Sequence, residues 1–446
     1  MGINKLGAIW KSIQDSLWFL PALLTLVGIA LAVLMVELDY RGILPERDDP
    51  VWLYTGSSAG ARGVLTAIAQ GIITVTGVVF SVTIVALQLA STQYSPRVLR
   101  NFVGDRASQV VLGVFIGTFT YALLVLRVVR GEDPVALEEE DYFIPHLSIV
   151  VAVILTLVSI GFLIFFINHL ARSIQASVII HRVTRDTLDT MKRLVPERFG
   201  EPAEMRVEGV TPRAQGTIVT ARESGYVQGI DPHGISALLD KEMLTIRLDR
   251  EVGDFVLTGS VLGRVWPATV QDDGEVADSV RRSYILGVER TQYMDIEHGV
   301  IELVDMAIKG LSPSVNDPTT AVLCVDRLAE ILLALAHHGS PGRVRRRENG
   351  GVLILPRTEF ERLVDTAFDQ IRHFGVGNPQ FAAALLDRLA QLGELLPRDA
   401  TKPVEGQVGA IMRDARRRIE DPTDLGKVED AARRALQALD GAGRTS

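Results

Sequence analysis

Cysteine is almost missing from this chain: Cys324 is the only one in 446 residues. An intrachain disulfide is thereby excluded, and so is any metal site built on several thiolates; the content suits a reducing compartment. There is no phosphate-loop lysine motif, no GxGxxG and no HExxH, so neither nucleotide binding nor zinc-dependent hydrolysis has positive support. The 46 basic and 54 acidic residues leave a net charge of −8, which says little about partners and offers no basic footprint for nucleic acid. The most informative absence is local. Charge is nearly missing from four long apolar runs, at 17–36, 64–89, 110–129 and 147–167, where Arg127 alone is charged.

Each run has about the 20 residues that a helix needs to cross roughly 30 Å of hydrocarbon. The mean hydropathy of +0.23 hides them, because the second half of the chain is strongly charged. The first run could be read as a signal peptide, since Lys5 and Lys11 precede it. Its length and the lack of a small-x-small cleavage site before Glu37 favour an uncleaved anchor. Four spans place both termini on one side. Lys5, Lys11, Arg97, Arg100, Arg106, Arg172, Arg182 and Arg185 lie on the terminal side, against Arg41, Arg47, Arg62, Arg127 and Arg130 opposite, which orients the termini to the cytoplasm of an inner membrane.

The second run carries a stripe. At 100° per residue, Thr66, Gln70, Thr74, Gly77, Ser81 and Gln88 fall within an arc of about 80°, interrupted by Ile84. A helix facing lipid all round would not hold two amides and several hydroxyls in a row, because unpaired polar groups in hydrocarbon are costly. Two readings stay open: a helix-packing face, or a pore lining that selects with dipoles and width. No span has a charge at its centre, which argues against a proton relay. Gly113-xxx-Gly117 is a second close-packing signal, and Ser148, Ala152, Thr156 and Ser159 form a weaker small face that could meet the stripe. At the inner end of the second span, Ser95-Pro96 stops the helix, and Arg97 and Arg100 sit at head-group level as an anchor or an anion contact.

Beyond the spans, residues 171–212 read as an amphipathic helix and a Pro/Gly-broken linker. Short β-prone runs at 217–221, 226–230, 244–248, 255–257 and 261–265, punctuated by glycines, predict a small β-barrel-like domain over 213–268. Gly225-Tyr226-Val227 and Val252-Gly253-Asp254-Phe255-Val256 resemble the barrel-sandwich hybrid of biotinyl and lipoyl domains. Lys241 lacks the flanking sequence of a carrier lysine, so the domain reads as structural. Residues 284–441 read as a helical domain with elements near 284–309, 319–337, 359–374, 379–396, 404–419 and 425–439. Arg343 to Arg347 reads as an exposed loop, and 351–355 as a short strand.

Asp295, His298, Glu302 and Asp305 share one helix face, and His298 with Glu302 at i, i+4 and Asp305 beyond make a weak metal candidate; a polar face towards solvent or a neighbouring subunit accounts for the same residues. Asn316-Asp317-Pro318 reads as a turn in which Asp317 caps the next helix and Pro318 takes its first position, and a helix N-terminus can also hold an anion.

Two blocks taken together carry a resemblance: Phe80-Ser81, 86–91, Tyr94-Ser95-Pro96-Arg97, Leu112-Gly113 and Phe119-x-Tyr121, with Leu311-Ser312-Pro313, Asn316-Asp317-Pro318, Thr320-Ala321 and Asp326. The chain resembles the bacterial membrane-protein family catalogued as domain of unknown function 2254. The resemblance implies a multi-span inner-membrane protein with a large cytoplasmic region, and it supplies no reaction, substrate or catalytic residue. The expectation is therefore a four-helix transmembrane domain over 1–170 joined to a soluble α+β region. It would act as a homo-oligomeric channel or channel-like transporter in the lipid bilayer, with no cofactor and no enzymatic activity. The alternative is a membrane-anchored sensor or scaffold.

Overall fold

The computed structural model describes residues 18–42, 57–93, 105–131, 143–193, 201–202, 210–212, 215–241, 243–267, 274–291, 294–338, 343–347, 350–356 and 359–442. The chain divides into two compact units, at 1–175 and 176–446.

Four helices long and apolar enough to cross a membrane make up the first unit: α1 (Phe19–Tyr40), α2 (Ser58–Gln93), α3 (Arg106–Val128) and α4 (His146–Ser173). Each overruns its apolar run by a turn or so, because polar residues at membrane ends still satisfy their backbone within the helix. The central helix is α3, packed against each of the other three. Its glycines allow this. A Cβ on Gly28 of α1 would lie 2.7 Å from the Gly117 carbonyl oxygen, and one on Gly113 would collide with Leu24 and come within 3.1 Å of Pro21 Cα. The Gly113-xxx-Gly117 signal is thus spent inside the chain, on α1. Leu65, Tyr121, Val125, Ile149 and Ala152 fill one half of the bundle core, and Ile72, Val79, Val111, Phe115 and Phe166 the other.

Polar ties bind the helix ends. Asp39, near the end of α1, accepts from the Leu147 and Ser148 amides at 2.9 and 3.0 Å and from Ser148 Oγ at 2.6 Å. It therefore caps α4 across the bundle, a role worth about 1 kcal/mol for an ordinary N-cap. Arg62 donates to the Val129 carbonyl at the same end, at 3.0 Å. At the opposite end Asp105 caps α3 and takes a hydrogen bond of 2.9 Å with His169 of α4.

The second unit opens with α5 (Ala176–Arg193), separated from the end of α4 by two residues. Strands β1 (Glu201–Pro202), β2 (Thr217–Thr220), β3 (Gly225–Ile230), β4 (Thr245–Leu248), β5 (Phe255–Val256), β6 (Val261–Trp266) and β7 (Tyr284–Gly287) follow, with α6 (Pro232–Lys241) and α7 (Glu275–Ser283) inserted. Next come α8 (Ile296–Leu311), α9 (Pro318–His338), β8 (Val344–Arg346), β9 (Val352–Ile354), α10 (Phe360–Gly375), α11 (Pro379–Leu395), α12 (Thr401–Arg418) and α13 (Pro422–Gly441).

The strands close no barrel, which corrects the expected β-barrel-like domain. They form a six-stranded mixed sheet in the order β1-β8-β9-β4-β6-β2, with β4 and β9 parallel, and a three-stranded sheet β5-β3-β7. The short strand expected at 351–355 is present as β9, but it joins the first sheet together with 344–346, and 284–287 joins the second, so the β region draws on residues outside 213–268. Parallel pairing needs a long crossover, and no local pattern announces a partner a hundred residues away. Lys241 ends α6 rather than tipping a hairpin. Arg343 to Arg347 is not an exposed loop: Val344 and Arg345 are buried in β8, where burial pushes the Arg345 guanidinium pKa down. The two sheets share a core that includes Val219, Val227, Ile246, Val265 and Tyr284.

Candidate functional site

The stripe lies on the outside of the four-helix unit. Gln70, Thr74, Gly77, Ser81 and Gln88 are exposed and Thr66 is half-buried, whereas Ala61, Leu65, Ala69, Ile72, Val79 and Ala86 of the same helix are buried. At 100° per residue the centres of the two sets stand roughly 160° apart, so the stripe faces away from the other spans of its own chain. Among the described residues nothing lies within 4 Å of a Cβ built on Gly71 or Gly77. The hydroxyls along it are turned inward: Thr74 Oγ1 donates to the Gln70 carbonyl at 2.7 Å and Ser81 Oγ to the Gly77 carbonyl at 2.9 Å. The most polar outward groups left are the two amides, at Gln70 and Gln88, about 27 Å apart along the helix.

The small face of α4 does not meet this stripe, contrary to the pairing the sequence suggests. Ser148, Ala152 and Ser159 are buried against α3, where Ser159 and Thr118 hydroxyls stand 3.1 Å apart and Tyr121 donates to the Ser148 carbonyl at 2.9 Å. Thr156 returns its hydroxyl to the Ala152 carbonyl. A small residue marks a close approach without saying which helix approaches, so two small faces in sequence need not be partners. Arg97 and Arg100 lie outside the described residues. Gly56-Ser57-Ser58-Ala59-Gly60 has the spacing of a nucleophile elbow, a signal present in the sequence. Ser58 nevertheless opens the apolar helix α2, and Ser57 Oγ accepts from the Gly60 amide as a cap.

In the second unit, the face holding Asp295, His298 and Glu302 is buried rather than solvent-facing. Helix α8 packs against α5, α9 and α10, so its polar face is covered as well as its apolar one. His298 Nε2 stands 3.5 Å from Glu302 Oε1, and Asp305 is half-buried further along. Among the described residues no three His, Cys, Asp or Glu side chains gather as a metal-holding group. Asp295 is the N-cap of α8, accepting from the His298 amide at 2.9 Å, and it is gripped by both arms of Arg290. Sequence reasoning overlooked Arg290 and Arg362. Arg290 stands only five residues before Asp295 and offers opposite charge as its signal, whereas Arg362 lies 65 residues beyond Glu297.

Asn316 adopts a left-handed backbone with φ 50°, and Asp317 accepts from the Thr320 amide at 3.1 Å and its hydroxyl at 2.6 Å. Those hydrogen bonds hold the Asp317 carboxyl below the usual range. With a carboxylate already at the N-terminus of α9, an incoming anion would meet like charge.

Four apolar helices with charged ties at their ends, followed by an α/β unit of mixed sheet and packed helices, define the class: a multi-span membrane protein with a large non-membrane region. The chain belongs to the family of predicted membrane proteins catalogued as domain of unknown function 2254, whose model matches residues 14–391. It is also similar, at 33% identity over 445 residues, to proteins of Mycobacterium bovis and Mycobacterium tuberculosis that are described as uncharacterized. The match covers 98% of this chain and 83% of theirs. No solved structure matches.

Proposed function

We propose that this protein is an oligomeric channel or channel-like transporter of the inner membrane, without enzymatic activity. In this reading copies of α2 surround the path, the second unit serves assembly and gating in the cytoplasm, and both termini are cytoplasmic. One observation carries it: the polar stripe of α2 occupies the face opposite the one that packs against its own chain. Left in hydrocarbon, the Gln70 and Gln88 amides would lack hydrogen-bond partners at a cost of several kcal/mol each. Further copies of α2, with or without water between them, remove that cost. Purified protein in liposomes tests the reading through ion and solute flux. Activity that Gln70→Leu with Gln88→Leu alters supports it; no flux under any ion, voltage or tension condition contradicts it.

A second reading, a membrane-anchored scaffold that dimerises through α2, draws on the bare Gly77 and the inward hydroxyls of Thr74 and Ser81, which suit dry helix contact. It predicts copies held together through α2 but no flux.

A further inference from the structure

We propose that the first turn of α8 is an ionic joint that couples the 251–254 turn of the sheet region to α5, the helix two residues beyond the last membrane span. The proposal deepens the gating role given above to the second unit and rests on that reading only for its effect on flux.

The joint is a run of five charges from three separate stretches of chain. Arg290 donates from Nε to Asp295 at 2.8 Å and from Nη2 to both Asp295 and Glu297, at 2.9 and 3.0 Å. Arg362, in the first turn of α10, holds the other side of Glu297 with bonds of 3.0 and 2.9 Å, and its Nη1 lies 4.0 Å from Glu251. The turn bearing Glu251 is seated on the same group. Gly253 has φ +97°, and a Cβ there would collide with the Arg290 guanidinium and press on the Asp295 carboxylate. Asp295 and Glu297 therefore bind a strand end, a second helix and a sheet turn to one helix N-terminus, where negative charge is also favoured by the helix dipole.

The same helix is seamed to α5 within a turn of the joint. Gly299 lies against Thr187, so closely that a Cβ on Gly299 would collide with the threonine. Thr187 is fully buried, and its hydroxyl is committed to the Val183 carbonyl. A shift of the first turn of α8 must then displace α5 or break a close-packed contact, because packed interfaces deform in steps rather than continuously.

The joint is graded. The Asp295 side chain is 2% exposed and that of Arg290 18%, but that of Arg362 is 49% exposed. Exposed pairs are screened by salt and buried ones much less. The Arg362 rung is the one that opens first, and it touches the sheet turn through Glu251.

Hydrogen–deuterium exchange on the full-length protein in lipid nanodiscs tests this. With Arg362→Gln or Glu297→Gln, exchange should rise roughly tenfold in 250–256 and also in 176–193, while 422–441 stays unchanged. Wild-type protein moved from about 0.05 M to about 1 M salt should show the same pattern more weakly. No change in 250–256 in any of these would show that the ion pairs do not hold the turn, and a rise confined to 250–256 would show that the turn is not coupled to α5. Either result overturns the joint. Absence of wild-type flux would overturn the channel reading alone, since the exchange pattern does not depend on transport.

Discussion

Two small-residue faces in the membrane unit have similar composition and opposite surroundings. Gly28, Gly113 and Gly117 bring α1 and α3 together so closely that backbone meets backbone. Gly77, in the stripe of α2, meets nothing within 4 Å among the described residues. The first face is satisfied inside one chain, and the second is left over. The difference teaches that a small-residue stripe on a helix reports a close neighbour only when the chain supplies one. Where it does not, the stripe asks for a neighbour from outside.

The largest effect that probes this contrast comes from making both faces bulky. Gly117→Leu should cost about 3 kcal/mol or more by overpacking α1 against α3, read as loss of thermal stability in detergent. Gly77→Leu should leave that stability within about 0.5 kcal/mol while disrupting assembly and flux. Equal damage from both would erase the distinction. Next in size, Gln70→Leu with Gln88→Leu should weaken assembly by about 0.6 to 2 kcal/mol per amide, measured by dilution-dependent oligomer dissociation, with the folded single chain intact.

Asp39→Ala separates the inner ties from the outer stripe. It removes the cross-bundle cap on α4 and should lower bundle stability by about 1 kcal/mol without changing the oligomer. The smallest effect concerns acid. Burial tends to raise the Glu297 carboxyl, but hydrogen bonds from Arg362 and Arg290 and their charges outweigh it and hold the group below the usual range. Because its folded-state value is depressed, the stability it contributes is present above the ordinary glutamate value of about 4.3 and is lost as pH falls through the folded value. Acid unfolding of the second unit should therefore be shallower in Glu297→Gln, whereas the spans should titrate alike in both.

Much of the membrane unit was legible in the sequence because its signals are local: length, missing charge and 3.6-residue periodicity mark all four spans. The outward direction of the Thr66 to Gln88 stripe was legible only as polarity, since periodicity fixes which residues share a face and not what that face meets. The sheet region was less legible. Strand Val344–Arg346 is three residues long, too short to show alternation, and an arginine run hid it; Val352–Ile354 falls within the short strand read at 351–355, but its sheet partner was not legible. Tyr284–Gly287 merged with the helical pattern that follows it. The joint at Asp295 and Glu297 was half visible: Asp295 stood out on a polar helix face, and Arg290 lies only five residues before it, but Arg362 reaches Glu297 through a fold that no spacing encodes.

The central claim is that the α2 stripe faces other copies of the chain, and cysteine scanning along α2 tests it most directly. The native Cys324 is buried, so it adds little background. Single Gln70→Cys, Thr74→Cys, Gly77→Cys, Ser81→Cys and Gln88→Cys variants in liposomes should cross-link between copies, and water-soluble thiol reagents at those positions should block flux. Val78→Cys and Val85→Cys, beside the stripe, should do neither to the same degree. Cross-linking and reactivity spread evenly round the helix, or absent from the stripe, would contradict the account.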